Sequence, residues 1–253
     1  MCGRYVAVHS PVELAREFGV DRIAVDSPLE PDYNVAPTKM VPAVIEHAGP
    51  DGGPERQLRA VRWGLVPWWA KDPAVGNRLI NARVETADEK PAFRRAFAKR
   101  RCILPALGYY EWQQRKPEGG GKAYKQPYFI HRPDEATLPM AGLYELWHDP
   151  ERSREDAEGW LWTCTVLTTN ATDEAGRIHD RAPLVVHEDA YERWLSPEPG
   201  DPDELRRLLS PATVGMAADP VGTAVNNVRN QSPDLIEPVP DPRGPGPAGR
   251  PPE

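Results

Sequence analysis

Thirty of the 253 residues are proline, and no other property of the chain restricts its fold more. Proline fixes φ near −65° and has no backbone N–H, so it disrupts helix interiors and is kept out of central strands. Proline at that density argues against long helices and for many short elements joined by rigid turns. Residues 3–8, 40–46, 58–65, 102–105, 109–113, 128–131, 138–147, 160–168 and 184–186 read as strands. Residues 40–46 and 58–65 pair as an antiparallel hairpin across a Gly/Pro/Asp turn. In 160–168, Trp162, Cys164 and Val166 share one face, which places Cys164 in the core. Residues 214–218 and 223–228 read as closing strands. Ser10-Pro11-Val12-Glu13 supplies an N-cap, a first-turn proline and a capping-box glutamate ahead of a stop at Gly19, predicting a helix over 11–18. Further short helices are expected over 91–99, 172–178, 189–195 and 203–209. Residues 31–39 read as an irregular loop, 66–72 as a turn exposing Trp68 and Trp69, and 114–125 as a polar, Gly-rich loop. The fold class is α+β: one domain over residues 1–236, with an antiparallel barrel-like sheet and short peripheral helices. Residues 237–253, almost all Pro, Gly, Asp and Arg, are expected to form a disordered tail.

Several classes are excluded. No apolar run approaches the ~20 residues of a membrane span, and no basic-then-apolar leader opens the chain. The three cysteines, Cys2, Cys102 and Cys164, are odd in number and widely spaced, so neither a disulfide framework nor a zinc site fits. The expectation is a reduced, cytoplasmic protein without metal or cofactor. A net charge of −7 argues against nucleic-acid binding only until its distribution is seen. Between positions 90 and 101 stand Lys90, Arg94, Arg95, Lys99, Arg100 and Arg101 with no acid among them, while the acids gather in 149–158 and 188–204. Local field decides whether a phosphate is attracted; a solvated helix face explains the same run.

Cys2 is the most distinctive chemical feature. Loss of Met1 gives it a free α-amine beside its thiol, with ordinary pKa values near ~8 and ~8.5. An aldehyde meeting that pair forms a Schiff base with the amine, and thiol attack then closes a five-membered thiazolidine. Position alone is equally satisfied by a small hydrophobic residue at the start of a strand.

Eight stretches, in order, resemble the SRAP family (SOS response-associated peptidase, or abasic-site-processing proteins). They are Met1-Cys2-Gly3-Arg4, Asn34-Val35-Ala36-Pro37-Thr38, Trp63-Gly64-Leu65-Val66-Pro67, Asn81-Ala82-Arg83-Val84-Glu85-Thr86, Arg101-Cys102-Ile103-Leu104-Pro105, Gly108-Tyr109-Tyr110-Glu111-Trp112, Ala141-Gly142-Leu143-Tyr144-Glu145 and Ile178-His179-Asp180-Arg181-Ala182-Pro183. The resemblance implies covalent capture of the aldehyde of an abasic site in single-stranded DNA by a monomer, with the protein nucleoid-associated when bound. It assigns the nucleophile to Cys2. Asn81 would hold the terminal amine and substrate oxygens, Glu111 would be the acid/base group and His179 the second proton-transfer residue. Imine formation loses water and the sugar ring must open, so each step moves a proton. Structural readings stand beside these: Asn81 as a turn cap, His179 as a helix C-terminal cation. Glu111 in a half-buried strand has no comparable structural reading, because a buried carboxylate needs a partner. Arg4, Arg83, Arg94 and Arg95 are the phosphate-binding candidates, and Trp68, Trp69 and Trp112 the stacking candidates. Asn34 reads as a loop hydrogen-bonder, His187 as a helix N-cap and Asp180 as a partner of Arg181. Ala182 stands where the family commonly has methionine. Two other functions use the same residues: a cysteine autopeptidase or peptidase built on Cys2, and a single-strand-binding module without chemistry. Lyase activity is a further expectation of the first reading.

Overall fold

The computed structural model describes residues 2–25, 29–49, 52–116, 121–171, 173–212 and 215–240. Two sheets share the work. The first contains β1 (Tyr5–Ala7), β3 (Asp32–Val35), β8 (Gly108–Arg115), β9 (Tyr124–His131) and β14 (Ala217–Pro220), in the order β14-β9-β8-β1-β3. The second is built on β4 (Met40–Ala48), β5 (Pro54–Trp63), β7 (Arg101–Ala106), β10 (Leu138–His148) and β11 (Trp160–Asn170). Those five close on themselves: β10 pairs β7, β7 pairs β4, β4 pairs β5, β5 pairs β11 and β11 returns to β10. Only the β5–β11 contact in that ring is parallel. β2 (Arg22–Ala24), β6 (Asn81–Arg83), β12 (Arg181–Val186) and β13 (Leu209–Pro211) extend the ring.

Alternation along the strands sorts the core into two layers. Val41, Ala43, Ile45, Val61, Trp63, Cys102, Leu104, Met140, Cys164 and Val166 make one cluster, the barrel interior. Their neighbours Val44, Leu58, Ile103, Ala141, Leu143 and Leu167 belong to a second cluster with Leu14, Phe97 and Trp194. Those last three come from α1 (Pro11–Glu17), α2 (Arg94–Lys99) and α4 (Tyr191–Leu195), which cover the outside of the ring. α3 (Asp173–Ile178) and α5 (Pro202–Arg207) complete the helices, each under two turns long, as the proline density requires. The α1 capping box forms as read, with Ser10 Oγ accepting from the Glu13 N–H.

Four expectations are corrected. Residues 32–35, taken as loop, form β3, because Tyr5 and Val35 pair across the sheet edge. Residues 223–226, taken as strand, are a 3-10 turn that begins after Gly222. The polar loop 114–125 is shorter, since β8 runs to Arg115 and β9 starts at Tyr124. The fold also continues past residue 236: Val239 N–H donates to Pro220 O at 2.8 Å and Val221 bridges Pro238. The remainder of the expected tail, 241–253, lies outside the described residues, as does Val214. Among the described residues no helix is long and apolar enough to cross a membrane.

Candidate active site

Trp63 organises the approach to the site. Its ring is buried inside the barrel, edge-on to Tyr5 at 5.1 Å, and its Nε1 donates to Ile80 O at 2.9 Å. One indole therefore fixes both the strand that follows Cys2 and the residue that precedes Asn81. Parallel pairing of β6 with β11, Asn81 opposite Val166, completes the placement. Asn81 Nδ2 then donates to the backbone oxygen of Cys2 at 2.7 Å. The other amide atom, Oδ1, is buried without a hydrogen-bond partner among the described residues.

Cys2 itself is fully buried. Burial, and secondarily the nearby carboxylate of Glu111, push its thiol far above the usual range, so the thiol is protonated in this state. Glu111 sits on β8, 4% exposed, opposite Tyr128. Burial raises its pKa, and the positive charges of the chain's amino terminus and of His179 act against that rise. A carboxyl held between these influences can both give and take a proton near neutrality.

His179 follows α3. Its Nδ1 lies 3.0 Å from the Arg181 N–H and 2.9 Å from a carboxylate oxygen of Asp180. One nitrogen cannot accept and donate together. The backbone N–H has only the donor role, so Nδ1 is the acceptor and Nε2 carries the ring proton. Asp180 is therefore a neighbour of His179 rather than of Arg181, whose guanidinium instead grips Glu85 through both nitrogens at 2.9 and 3.0 Å.

Glu111, His179, Arg4, Trp112, Lys125 and Asn226 line one cavity of about 560 Å³. Arg4 is anchored there: one guanidinium nitrogen donates to Asn34 Oδ1 at 2.6 Å and to Val225 O at 2.9 Å, and its Cζ lies 5.7 Å from the Trp112 ring centre. Asn34, fully buried, in turn donates to the carbonyls of Val225, Asn227 and Asn230. Trp112 Nε1 donates to Asn226 Oδ1 at 2.7 Å. Lys125 and Asn226 were not expected at the site; neither carries a local motif, and only the β8–β9 register and the C-terminal segment bring them in.

The remaining candidates occupy other surface. Arg83 is exposed on β6, two residues past Asn81. Trp68 and Trp69 are both about half exposed, and Arg95 Cζ stands 5.4 Å from the Trp68 ring centre. Trp147 Nε1 donates to Ala70 O, and Gly64 (φ +125°) meets Gly76 so closely that a Cβ would lie 2.7 Å from its carbonyl oxygen. The tryptophan turn is thus held at its base with its tips free. The basic run divides. Arg94 and Arg95 face outward, but Arg100 pairs with buried Glu145, and Arg101 is buried, its guanidinium serving the carbonyls of Phe97, Ala98, Trp194, Ser196 and Glu198. Burial lowers the Arg101 pKa to about 10. Neither Arg100 nor Arg101 is available to a phosphate, contrary to the reading of the run as one patch. His187 occupies an N-cap position, but its side chain makes no capping bond. No group of three or more His, Cys, Asp or Glu among the described residues is arranged to hold a metal ion.

A family model described as SOS response associated peptidase (SRAP) matches residues 1–228. The chain is 37% identical over 238 residues to abasic site processing protein YoqW of Bacillus subtilis, covering 94% of this chain and 99% of that protein. It is 34% identical over 247 residues to abasic site processing protein YedK of Escherichia coli, covering 94% and 100%. Against abasic site processing protein HMCES of Gallus gallus the identity is 34% over 235 residues, 83% of this chain and 66% of that one. The crystal structure of a Bacteroides thetaiotaomicron protein superposes with a TM-score of 0.76 at 26% identity, covering 94% of this chain and all of the other.

Proposed function

Because this chain belongs to the SOS response associated peptidase (SRAP) family, we infer that it processes abasic sites in DNA, and that it does so by covalent attachment through Cys2. The observation that carries the reading is the Asn81–Cys2 hydrogen bond, which holds the second residue of the chain beside Glu111 at a cavity shared with His179. Met1 must first be lost, converting the Cys2 amide nitrogen into an amine whose lone pair is free to attack. The amine adds to C1′ of the ring-opened sugar, giving a hemiaminal. A proton from Glu111 or His179 lets the hydroxyl leave as water and forms the imine. The Cys2 sulfur then adds to the imine carbon while its proton passes to nitrogen, closing the thiazolidine with loss of one water overall. Glu111 suits the shuttle because burial holds its proton more tightly than an exposed carboxyl would. Asn81 Oδ1 supplies an acceptor for the amine or the departing hydroxyl.

Single-stranded DNA is the substrate this surface favours. Trp68 and Trp69 offer faces to unpaired bases, beside the outward cations of α2, and stacking of this kind tolerates any sequence. All four reacting side chains come from one chain, so a monomer suffices, and lyase action is the expected fate of an imine that fails to close. General proteolysis has no separate observation in its favour.

Incubation with an abasic oligonucleotide, a denaturing gel and intact mass test the reading. The expected product is a heat-stable adduct with the mass of the Met1-free protein plus DNA less one water. Reversible retention alone, with no covalent band, would leave only the binding module.

A further inference from the structure

The cavity holds a cation that the chemistry above leaves unused. Lys125 stands on β9 opposite Gln114, on the same face of the β8–β9 ribbon as Trp112 and diagonal to it. It is exposed, and no hydrogen bond or ion pair joins it to another described residue. The second cation of the lining, Arg4, is tied to Asn34 and Val225. The inner wall carries Glu111 and His179, next to Cys2, and Trp112 and Lys125 form the wall beside them. A sugar bound against Cys2 within a strand brings a phosphodiester on each side of itself. An unpaired ammonium on a flexible stem fits such an anion as a mobile point charge.

We propose that Lys125 holds one of the two phosphodiesters flanking the reacting sugar, so that the cavity recognises the abasic residue together with its neighbouring phosphate. This rests on the abasic-site reading given above. It makes Lys125 a binding residue for intact strand, distinct from the proton-transfer groups. It also predicts that a free sugar aldehyde is a poorer substrate than the same sugar within a strand.

The test uses single strands carrying one tetrahydrofuran in place of the abasic sugar, with binding read by fluorescence anisotropy. This analogue has no aldehyde, so the readout is independent of cross-linking. K125Q is expected to bind about tenfold more weakly than the unsubstituted protein, and K125R within about twofold. The slope of log K against log salt should be smaller in magnitude for K125Q by about 0.7, the value for one phosphate contact on a single strand. An uncharged methylphosphonate is then placed on the 5′ or the 3′ side of the tetrahydrofuran. At one of these two positions the unsubstituted protein should lose affinity and K125Q should no longer differ from it. A K125Q penalty that persists on both neutralised strands, or no penalty on any strand, overturns the proposal. A Lys125-dependent phosphate contact in a protein that forms no adduct with the aldehyde strand would support this proposal and remove the cross-linking reading instead.

Discussion

Asn81 Nδ2 donates to the backbone oxygen of Cys2 at 2.7 Å, across 79 positions of sequence. That single bond is what gives the flexible start of the chain a defined place. Asn81→Asp keeps the size but replaces the donor with a carboxylate facing a carbonyl oxygen, and Asn81→Ala removes both amide atoms. Each should slow cross-linking by at least about tenfold, since misplacement of about 1 Å costs on the order of a hundredfold. Affinity for an unreactive abasic analogue should be nearly unchanged. Time courses on denaturing gels, set beside anisotropy titrations, separate the two effects.

Glu111→Gln keeps shape and removes the titrating group. Loss of an acid/base residue typically costs about 10²–10⁴-fold in rate, so cross-linking should slow by that order with binding intact. A wild-type rate would mean that another carboxyl does the work. Stability provides a second readout. The folded chain binds the Glu111 proton more tightly than the unfolded chain, because burial raises its pKa. Its contribution to stability is therefore full below the unfolded-state value of about 4.3 and is lost as pH rises through the raised folded-state value. Urea titrations across that window should show Glu111→Gln gaining on the unsubstituted protein as pH rises, with no such trend below it.

The two functional groups of Cys2 separate by substitution. Cys2→Ser and Cys2→Ala keep the amine once Met1 is lost, so borohydride should trap an imine while the heat-stable adduct disappears. A chain that retains Met1 has an amide at that nitrogen and should give neither product. Full adduct yield from the blocked chain would point to direct thiol or lysine attack.

The inward and outward halves of the basic run predict different phenotypes. Arg95→Glu and Trp68→Ala should weaken single-strand binding and leave stability almost unchanged; loss of a stacked base typically costs about 1–3 kcal/mol. Arg83→Glu should weaken binding to intact and abasic strands alike, because phosphate contacts carry no base information. Arg101→Met should lower stability by about 3 kcal/mol, because it strands several buried carbonyls at once. Salt-dependent anisotropy and urea melts distinguish these outcomes.

These contrasts mark where the sequence was readable. The strand alternation and the α1 cap reproduced most elements, because burial on one face and an N-cap leave local signatures. Glu111 was legible as a carboxyl in an apolar strand, and Cys2 by its position. Arg100 and Arg101 were not distinguishable from Arg94 and Arg95, since one turn of helix and the start of a strand divide a run that looks uniform. β3 was hidden by Pro31, Pro37 and its polar first half, and its pairing with β1 is non-local. Lys125 and Asn226 reach the cavity through register and chain return, which no window of sequence contains.

The anchoring of Arg4 and Asn34 to the carbonyls of Val225, Asn227 and Asn230 also sets a schedule. The first strand made by the ribosome is finished by some of the last residues translated. At about 5–20 residues per second, roughly ten to forty seconds pass between emergence of Cys2 and synthesis of its distant supports. During that interval the amino terminus can be trimmed by an aminopeptidase while it is still accessible, before the fold closes around it. Maturation of the nucleophile is thereby a co-translational event, and a protein refolded from a Met1-bearing chain would present the trimming enzyme with a buried Cys2 instead.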